Sequence, residues 1–485
     1  MMAAVGPGAD LPPISGNEDA VATAMRRAPE PAPGSIHFER VRSSAAVALH
    51  MHQPLIPAGG DRLETAPVVS NLECMLANPH LGDNHDAPVF LQCYARMADL
   101  VPALLREGKA PRVLLDYSGT LLHGLARMGR HDVLDALVGL TRAPETRDAV
   151  EWLGTAWGHA VAPSTPAADY RLHVGAWQQH FAALFGPDAL ARVRGFSPAE
   201  MALPNHPDVA YEFVRTLRDA GYEWVLVQEH TVEQAETGRA LDRSHLPCRL
   251  VCTGSRGETA SIVAVVKTQG SDSKLVGQMQ PWYEARGLDR VELAGRRVPP
   301  LVSQIADGEN GGVMMNEFPP KFVEVVRAAS GSDVPLVTVR EYLGYLWSLG
   351  LGDHDLLAIQ PVHQHRVWAR MQPGDGPERL AAVTDELRRE DPRFHMEGGS
   401  WTNDRSWVQG YQAVLGPMLE ASVGFHQRVA ALGVSPREPR YRNALFHLLV
   451  SQTSCFRYWG EGAWTDYGRE VCRRTQEILR HDFAA

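Results

Sequence analysis

The chain has 485 residues, of which 44% are hydrophobic and 21% are charged. This is ordinary globular composition, and the length suits one large barrel-type domain with an elaboration, or about two to three smaller domains. The formal net charge of −10 comes without a basic block. Nucleic acid is therefore not an expected partner, because phosphate binding needs clustered Lys and Arg. No apolar run approaches the ~18 residues of a membrane span, so no membrane partner is expected either.

The first forty residues are rich in Ala, Gly and Pro, most clearly in RRAPEPAPG at residues 26–34. They lack the apolar segment of a secretory signal, and we predict that residues 1–40 form a disordered tail. The six cysteines do not make a disulfide framework, and Cys248 and Cys252 form a single C-x3-C without the second pair that a zinc site needs. We therefore expect reduced thiols and a cytoplasmic protein.

From about residue 43 onward, short apolar runs alternate with longer amphipathic segments. The predicted strands are residues 45–49, 112–116, 151–156, 192–196, 223–228, 261–266 and 300–305. Helix-like stretches such as residues 89–106, 168–184 and 207–220 separate them. Strands that alternate with helices indicate βα units around a parallel sheet, and a run of seven strands favours an α/β barrel over an open sheet.

The strand pattern ends near residue 376. Beyond it the predicted helices are residues 376–389, 407–432, 441–458 and 465–481. The sequence thus predicts a catalytic barrel over residues 41–375 and a C-terminal helical subdomain over residues 376–485, which contributes to the active-site cleft.

Polar residues follow each predicted strand. In chain order they are His50, His52, Gln53, Asp116, His159, Glu200, Glu229, Asp272, Asp307 and Glu309. In a parallel barrel all of these positions meet at one rim, where barrel enzymes keep their active sites. Carboxylates and imidazoles crowded together are typical of a sugar site, where hydroxyl groups satisfy them and two carboxylates do the chemistry. For Asp116 and Asp272, a helix N-cap is an equally open interpretation.

Five short motifs, in order, resemble those of glycoside hydrolase family 57. They are HQP at residues 52–54, WGHAVAP around His159, GFSPAEMAL at residues 195–203, IADGENGG at residues 305–312 and SQTSCFRYWG at residues 451–460. The resemblance covers about residues 45–464. In the fifth motif, Cys455 stands where a polar or acidic residue is common in the family.

The resemblance implies an incomplete seven-stranded (β/α) barrel with a C-terminal helical subdomain. It also implies a retaining mechanism on α-glucans such as starch, glycogen or maltooligosaccharides, without an organic cofactor. We expect no metal ion in the site. The family nucleophile maps to Glu200, and the family acid/base maps to Asp307.

Aromatic residues are candidate platforms for sugar rings, with core packing as the open alternative. The candidates are Trp282, Tyr283, Trp401, Trp407, Tyr458 and Trp459. Trp282 and Trp401 lie in loop-like sequence and are the more attractive ones, because Gly-rich loops bring the backbone close to ligands. His50, His52, Gln53, His159, Glu229 and Asp272 complete the predicted substrate-binding set.

Two other functions remain open at the level of sequence. His50 and His52 alternate at a strand end and could bind zinc together with Asp116 or Asp272, as in a metal-dependent carbohydrate hydrolase or esterase. Alternatively, the barrel could be a glucan-binding protein that kept its groove and lost turnover.

Overall fold

The computed structural model describes residues 11–27, 36–242, 244–268, 276–309, 317–400, 411–458 and 462–484. The strands are β1 Ser44–Met51, β2 Leu55–Pro57, β3 Val68–Ser70, β4 Val113–Tyr117, β5 Val150–Gly154, β6 Gly195–Phe196, β7 Trp224–Gln228, β8 Val232–Gln234, β9 Cys248–Thr253, β10 Thr259–Lys267, β11 Val291–Leu293, β12 Arg296–Val298, β13 Leu301–Asp307 and β14 Leu357–Pro361.

Helices follow most of these strands. The α-helices of the described residues are Glu18–Arg26, Asn71–Ala77, Ala87–Arg106, Gly119–Arg127, His131–Arg142, Ala167–Phe185, Pro187–Leu190, Pro207–Asp219, Gln280–Ala285, Phe318–Ala329, Val339–Ser348, Gln364–Trp368, Pro377–Glu390, Gln412–Leu432, Pro439–Ser451, Cys455–Tyr458 and Ala463–Asp482. Short 3-10 helices are Phe38–Arg40, Leu63–Thr65, Gly82–Asp86, Ala162–Ser164, Ala199–Met201, Glu229–Thr231 and Asp353–Asp355. None of the helices in these ranges is long and apolar enough to cross a membrane.

Seven parallel strands form a closed barrel in the order β1, β4, β5, β6, β7, β10 and β13, and β13 pairs back onto β1. The ring closes where Lys267 of β10 pairs with Ser303 of β13. All seven predicted strands are present, and the predicted α/β barrel is confirmed. The fourth strand is shorter than predicted, because only Gly195 and Phe196 pair with their neighbours.

Both faces of the barrel strands are buried, as expected of a parallel sheet that is covered by helices. Along β1, Ala45, Val47 and Leu49 pack with the surrounding helices, whereas Ala46 and Ala48 belong to a second cluster together with Leu114, Leu226, Val265 and Ile305. This second cluster fills the barrel interior. Since side chains alternate along a strand, His50 continues the inward-facing row at the carboxyl end of β1.

A second sheet region extends the barrel at β10. There β9 pairs antiparallel to β10, β14 pairs parallel to β9, and β8 pairs antiparallel to β14. The apolar pattern of the sequence did not indicate this extension. Its strands are short, and β9 is buried only at every second residue, as befits a strand with one exposed face.

The N-terminal segment departs from the prediction. Residues 11–27 are folded against the barrel, and the helix Glu18–Arg26 buries Val21, Ala24 and Met25. Their i, i+3 and i+4 spacing makes one apolar face. The Arg194 guanidinium donates to the carbonyl oxygen of Met25 and fixes the end of this helix. The prediction of a disordered tail is therefore wrong for residues 11–27.

The C-terminal helices form the predicted helical region. Gln412–Leu432 and Pro439–Ser451 both pack against Ala463–Asp482. The helix Pro377–Glu390 has a small apolar cluster of its own, with Leu380, Val383 and Leu387 at its centre. The domain boundary near residue 376 stays a prediction.

Candidate active site

Three titratable side chains form a row across neighbouring strands. His50 at the end of β1 pairs in register with Asp116 of β4 on one side and with Asp307 of β13 on the other. Residues in register on parallel strands point to the same face, so all three close the top of the barrel interior. The His50 Nδ1 atom lies 2.8 Å from Asp116 Oδ2. Burial disfavours the charged imidazole, but Asp116, Asp307 and Glu309 outweigh burial and raise the pKa of His50 to about 10. His50 is therefore an imidazolium at neutral pH.

The imidazole rings of His50, His159 and His52 form a stack, with His159 in the middle. The ring centroid of His159 lies 3.9 Å from that of His52 and 4.7 Å from that of His50. Burial, and then the neighbouring imidazoles, hold the pKa of His52 and of His159 well below the usual range. The stack thus contains one cation and two neutral rings. His52 and His159 each place Nδ1 2.8 Å from a buried serine hydroxyl, that of Ser118 and that of Ser454 respectively.

Glu200 follows β6 in a strained turn. Its φ of 59° and ψ of 19° lie in the left-handed region, as does the φ of 58° at His159. Such non-glycine conformations cost energy and are enriched at functional sites, where the surrounding structure holds them. The Glu200 side chain is 14% exposed, and its Oε1 lies 3.8 Å from His159 Nδ1. The strain therefore aims a carboxylate at the imidazole stack.

Asp307 is the last residue of β13 and is half-buried. Burial raises the pKa of its carboxyl group, His50 opposes that shift, and Asp116 adds to it. The environment thus favours the protonated carboxyl, which is the form that a general acid requires.

Glu309 lies two residues further on, and its Oε1 accepts a hydrogen bond of 3.1 Å from the backbone N–H of His52. Burial and the nearby Asp307 raise the pKa of Glu309 to about 8. The intervening Gly308 donates its N–H to the His50 carbonyl at 2.7 Å, and a Cβ there would lie 2.1 Å from Met51 Cε. A larger residue there would require the Met51 side chain to move.

The C-terminal region supplies the back wall of the site. Cys455 Sγ lies 3.4 Å from His52 Nε2. Burial and the proximity of Glu200 raise the pKa of the Cys455 thiol to about 12. Where the family commonly has a polar or acidic residue, this chain therefore has a neutral thiol.

Sequence reasoning missed the two serines that orient the imidazoles. Ser118 caps the helix Gly119–Arg127, and its Oγ accepts from the N–H of Leu121 at 3.2 Å. The sequence pattern that could have identified Ser118 is a Ser two residues beyond Asp116, at the start of a helix. Ser454 lies within the fifth motif, but nothing in the sequence indicated that it meets His159.

Two further predicted substrate-binding residues, Gln53 and Glu229, lie near the rim of the barrel. The buried Gln53 accepts a hydrogen bond from Asn71 Nδ2 at 3.0 Å. Glu229 begins a 3-10 helix directly after β7, at the same end of the barrel, and is partly exposed. Both remain near the rim, and their predicted contact with substrate stays a prediction.

The structure places Trp282 away from the predicted substrate site. It lies on the helix Gln280–Ala285, is 6% exposed, and donates its indole N–H to the Val334 carbonyl at 2.9 Å. The same helix accepts a hydrogen bond from Ser43, which precedes β1 and so lies at the opposite end of the barrel from His50. The prediction that Trp282 stacks on a sugar is wrong, because the segment forms an amphipathic helix rather than a rim loop. Its neighbour Tyr283 bonds to Glu324 on the outer surface.

Asp272, Trp401, Trp407 and Trp459 lie outside the described residues, and so does the side chain of Tyr458. The helix Cys455–Tyr458 itself is described and adjoins the site.

The zinc hypothesis has little geometric support. The His50 and His52 rings lie at 29° to each other with His159 between them, and their Nδ1 atoms are bonded to Asp116 and Ser118. Within the described ranges, no group of three or more His, Cys, Asp or Glu side chains could hold a metal ion.

Comparisons with solved structures find similar barrels. A 4-α-glucanotransferase from Thermococcus litoralis is 15% identical with a TM-score of 0.53, over 91% of this chain and 60% of that one. A GH57-type branching enzyme from Pyrococcus horikoshii is 11% identical with a TM-score of 0.54, over 91% and 89%. A novel α-amylase from Thermotoga maritima is 10% identical with a TM-score of 0.52, over 92% and 94%. At these identities the likeness concerns the fold.

A comparison with curated protein sequences finds no match. The family model described as glycosyl hydrolase family 57 matches residues 46–265, a span that includes His50, His52, His159 and Glu200. Over these residues, the chain is similar to glycosyl hydrolase family 57.

Proposed function

We propose that the protein is a retaining glycoside hydrolase or transglycosylase that acts on α-glucans, with Glu200 as nucleophile and Asp307 as general acid/base. The observation that carries this proposal is that two carboxyl groups lie beside one imidazole stack. Glu200 lies 3.8 Å from His159, and Asp307 lies in register with His50, whose ring stacks on that of His159. Retaining glycosidases need two carboxyl groups in different protonation states.

In the first step, the Glu200 carboxylate attacks the anomeric carbon while the glycosidic C–O bond breaks. The proton of Asp307 goes to the departing oxygen, so the leaving chain departs as a neutral alcohol. The raised pKa of Asp307 supports this role, because the proton must be on the carboxyl group before the bond breaks.

In the second step, Asp307 is a carboxylate beside the His50 imidazolium. It takes a proton from water or from a sugar hydroxyl, whose oxygen attacks the anomeric carbon and releases Glu200. The His50 cation stabilises Asp307 in this ionised state, since opposite charges at close range favour the charged form. Water as acceptor gives hydrolysis, and a glucan hydroxyl gives transfer.

The family-model match over residues 46–265 supports an α-glucan as substrate. Three structures of similar fold are described as a 4-α-glucanotransferase, a branching enzyme and an α-amylase. We infer that this chain takes maltooligosaccharides or longer α-glucans. Its cysteines are unpaired in the structure, which supports a cytoplasmic location. Fractionation of the native host tests that location.

Substitution of the nucleophile tests the first assignment. Glu200→Gln and Glu200→Ala should both abolish turnover of maltooligosaccharides. In Glu200→Ala, added azide should restore product release with inverted stereochemistry, because azide attacks from the face that the missing carboxylate has vacated. Glu258→Gln is the matched control, since Glu258 lies exposed in the turn between β9 and β10. Substantial glucan activity in Glu200→Gln would assign the nucleophile to another carboxylate.

Substitution of the acid/base should give a different pattern. Asp307→Asn should still be glycosylated by substrates with good leaving groups, which need no acid, and should then stall in deglycosylation. A burst followed by slow turnover is the expected time course. Equal loss on activated and natural substrates would remove Asp307 from this role.

The same assay decides the alternatives. A metal-dependent hydrolase would lose activity on chelation and keep it in Glu200→Gln. A glucan-binding protein without turnover would bind maltooligosaccharides and release no product.

A further inference from the structure

A chain of hydrogen bonds links the C-terminal helices to the barrel loop that carries His159. His426 Nε2 lies 2.5 Å from Asp169 Oδ1, and Gln452 Nε2 lies 2.5 Å from Asp169 Oδ2. Gln452 Oε1 lies 2.9 Å from His173 Nε2, and His173 Nδ1 accepts from the Gly158 N–H at 3.1 Å. Asp169, His173 and Gln452 have no exposed surface, whereas the His426 side chain is 39% exposed.

The chemistry of the groups sets one direction along this relay. The backbone N–H of Gly158 can only donate, so His173 Nδ1 carries no proton and its Nε2–H must donate to Gln452 Oε1. The Gln452 amide then donates to Asp169, which also accepts from His426. Burial lowers the pKa of His173 to about 4, so the ring is neutral, as this arrangement requires.

The Gly158 end of the relay adjoins the strained residue of the site. A Cβ on Gly158 would lie 2.4 Å from the Leu449 carbonyl oxygen, so the loop presses directly against the C-terminal helix Pro439–Ser451. The next residue, His159, has its left-handed φ and accepts from the N–H of Ser454 at 3.0 Å. The loop is thus held on both sides of His159 by residues of the C-terminal region.

We propose that Asp169, His173 and Gln452 form a positioning relay that fixes Gly158. Through Gly158, the relay holds the His159 ring in its place beside Glu200. This rests on the proposed function, because it assigns a role in the same reaction. None of the three residues touches the reacting atoms. They hold the backbone N–H of Gly158 in place, and the next residue, His159, faces the proposed nucleophile Glu200. In the same way, residues that hydrogen-bond to metal ligands orient those ligands.

Gln452 offers the sharpest test, because two nearly isosteric substitutions give different results. Gln452→Met removes both of its hydrogen bonds and should lower kcat on maltooligosaccharides by about tenfold to hundredfold, with KM changed by less than about twofold. Gln178→Met is the matched control. Gln178 is also buried and lies nearer the C-terminal end of the helix that carries Asp169 and His173. Its side chain bonds to the Ala220 carbonyl and to Tyr222 and not to the relay.

Gln452→Glu should behave as a protonation-dependent version of the native residue. In this variant, a protonated carboxyl can donate to Asp169 and accept from His173 as the amide does, but an ionised carboxylate repels Asp169. The groups that face this position are Asp169, His173, His426 and Arg457. The kcat of the variant relative to the native enzyme should therefore rise as the pH falls, whereas the ratio for Gln452→Met should stay flat.

Amide hydrogen exchange provides a readout that needs no turnover. Peptides that contain residues 156–160 should exchange faster in Gln452→Met than in the native protein, at equal melting temperature, and should be unchanged in Gln178→Met. If native protein shows no glucan activity, the proposed function fails and hydrogen exchange alone still decides the relay. Unchanged exchange at residues 156–160, or equal losses of kcat in the two methionine variants, would overturn the relay.

Discussion

At the scale of single residues, His50 is the charge on which the site depends. It lies between Asp116 and Asp307, and it lowers the pKa of Asp307 relative to what burial alone would give. His50→Asn should therefore raise the pKa of Asp307, and the alkaline limb of kcat/KM should move to higher pH. A pH–rate profile measures this shift. A move to lower pH would mean that His50 does not act on the general acid.

His50 also links stability to pH. Its pKa in the folded state, about 10, lies above the ordinary histidine value of about 6.5. Its contribution to the free energy of unfolding is therefore fully present below about pH 6.5 and is lost as the pH rises toward 10. In His50→Asn this decline should be smaller, as urea unfolding at about pH 6 and about pH 9 would show. An equal decline in both proteins would contradict the charge assignment.

The positions of the two proposed catalytic carboxyl groups could be located from the sequence, but the contacts around them could not. Glu200 and Asp307 each follow a predicted strand within a recognisable motif. The contact of His50 with Asp116 depends on strand register, and the contact of His159 with Ser454 joins residues 295 positions apart. No local pattern encodes either.

At the scale of elements, the N-terminal helix makes a testable contribution. Met25 is 4% exposed beside Arg194 and Gly221. Met25→Ala should lower the free energy of unfolding by about 2–5 kcal/mol, because it leaves a cavity against the barrel. Thr23→Ala, on the exposed face of the same helix, should change it by less than about 0.5 kcal/mol. Equal effects in denaturant titrations would mean that the helix does not dock.

The strands could be predicted where the sequence contains a continuous apolar run. The seven barrel strands are buried on both faces and stand out as apolar runs. Prediction failed for Glu18–Arg26 and Gln280–Ala285, short helices whose apolar face is only a few residues wide. In the first, the Ala-rich composition suggested disorder, and in the second, flanking polar residues suggested a loop.

At the scale of the whole molecule, the barrel and the C-terminal helices build one site. Cys455 reaches His52 across 403 positions of sequence, and Gln452 reaches Asp169 across 283. We therefore expect loss of activity and loss of tryptophan fluorescence to coincide in a single denaturant transition. An early loss of activity with the barrel still folded would mean that the helical region unfolds independently.

As the proposed nucleophile, Glu200 should form a covalent bond to the sugar. In a 5-fluoroglycosyl fluoride, the anomeric fluoride is a good leaving group and the fluorine on C5 slows the second step. The glycosyl-enzyme should therefore accumulate. Intact-mass spectrometry should show one added sugar per chain, and peptide mapping should place it on Glu200. Glu200→Gln should not be labelled, whereas Asp307→Asn should be labelled and should release the sugar more slowly still. A label on Glu309 or Glu229, or no label in native enzyme that turns over α-glucans, would contradict this account.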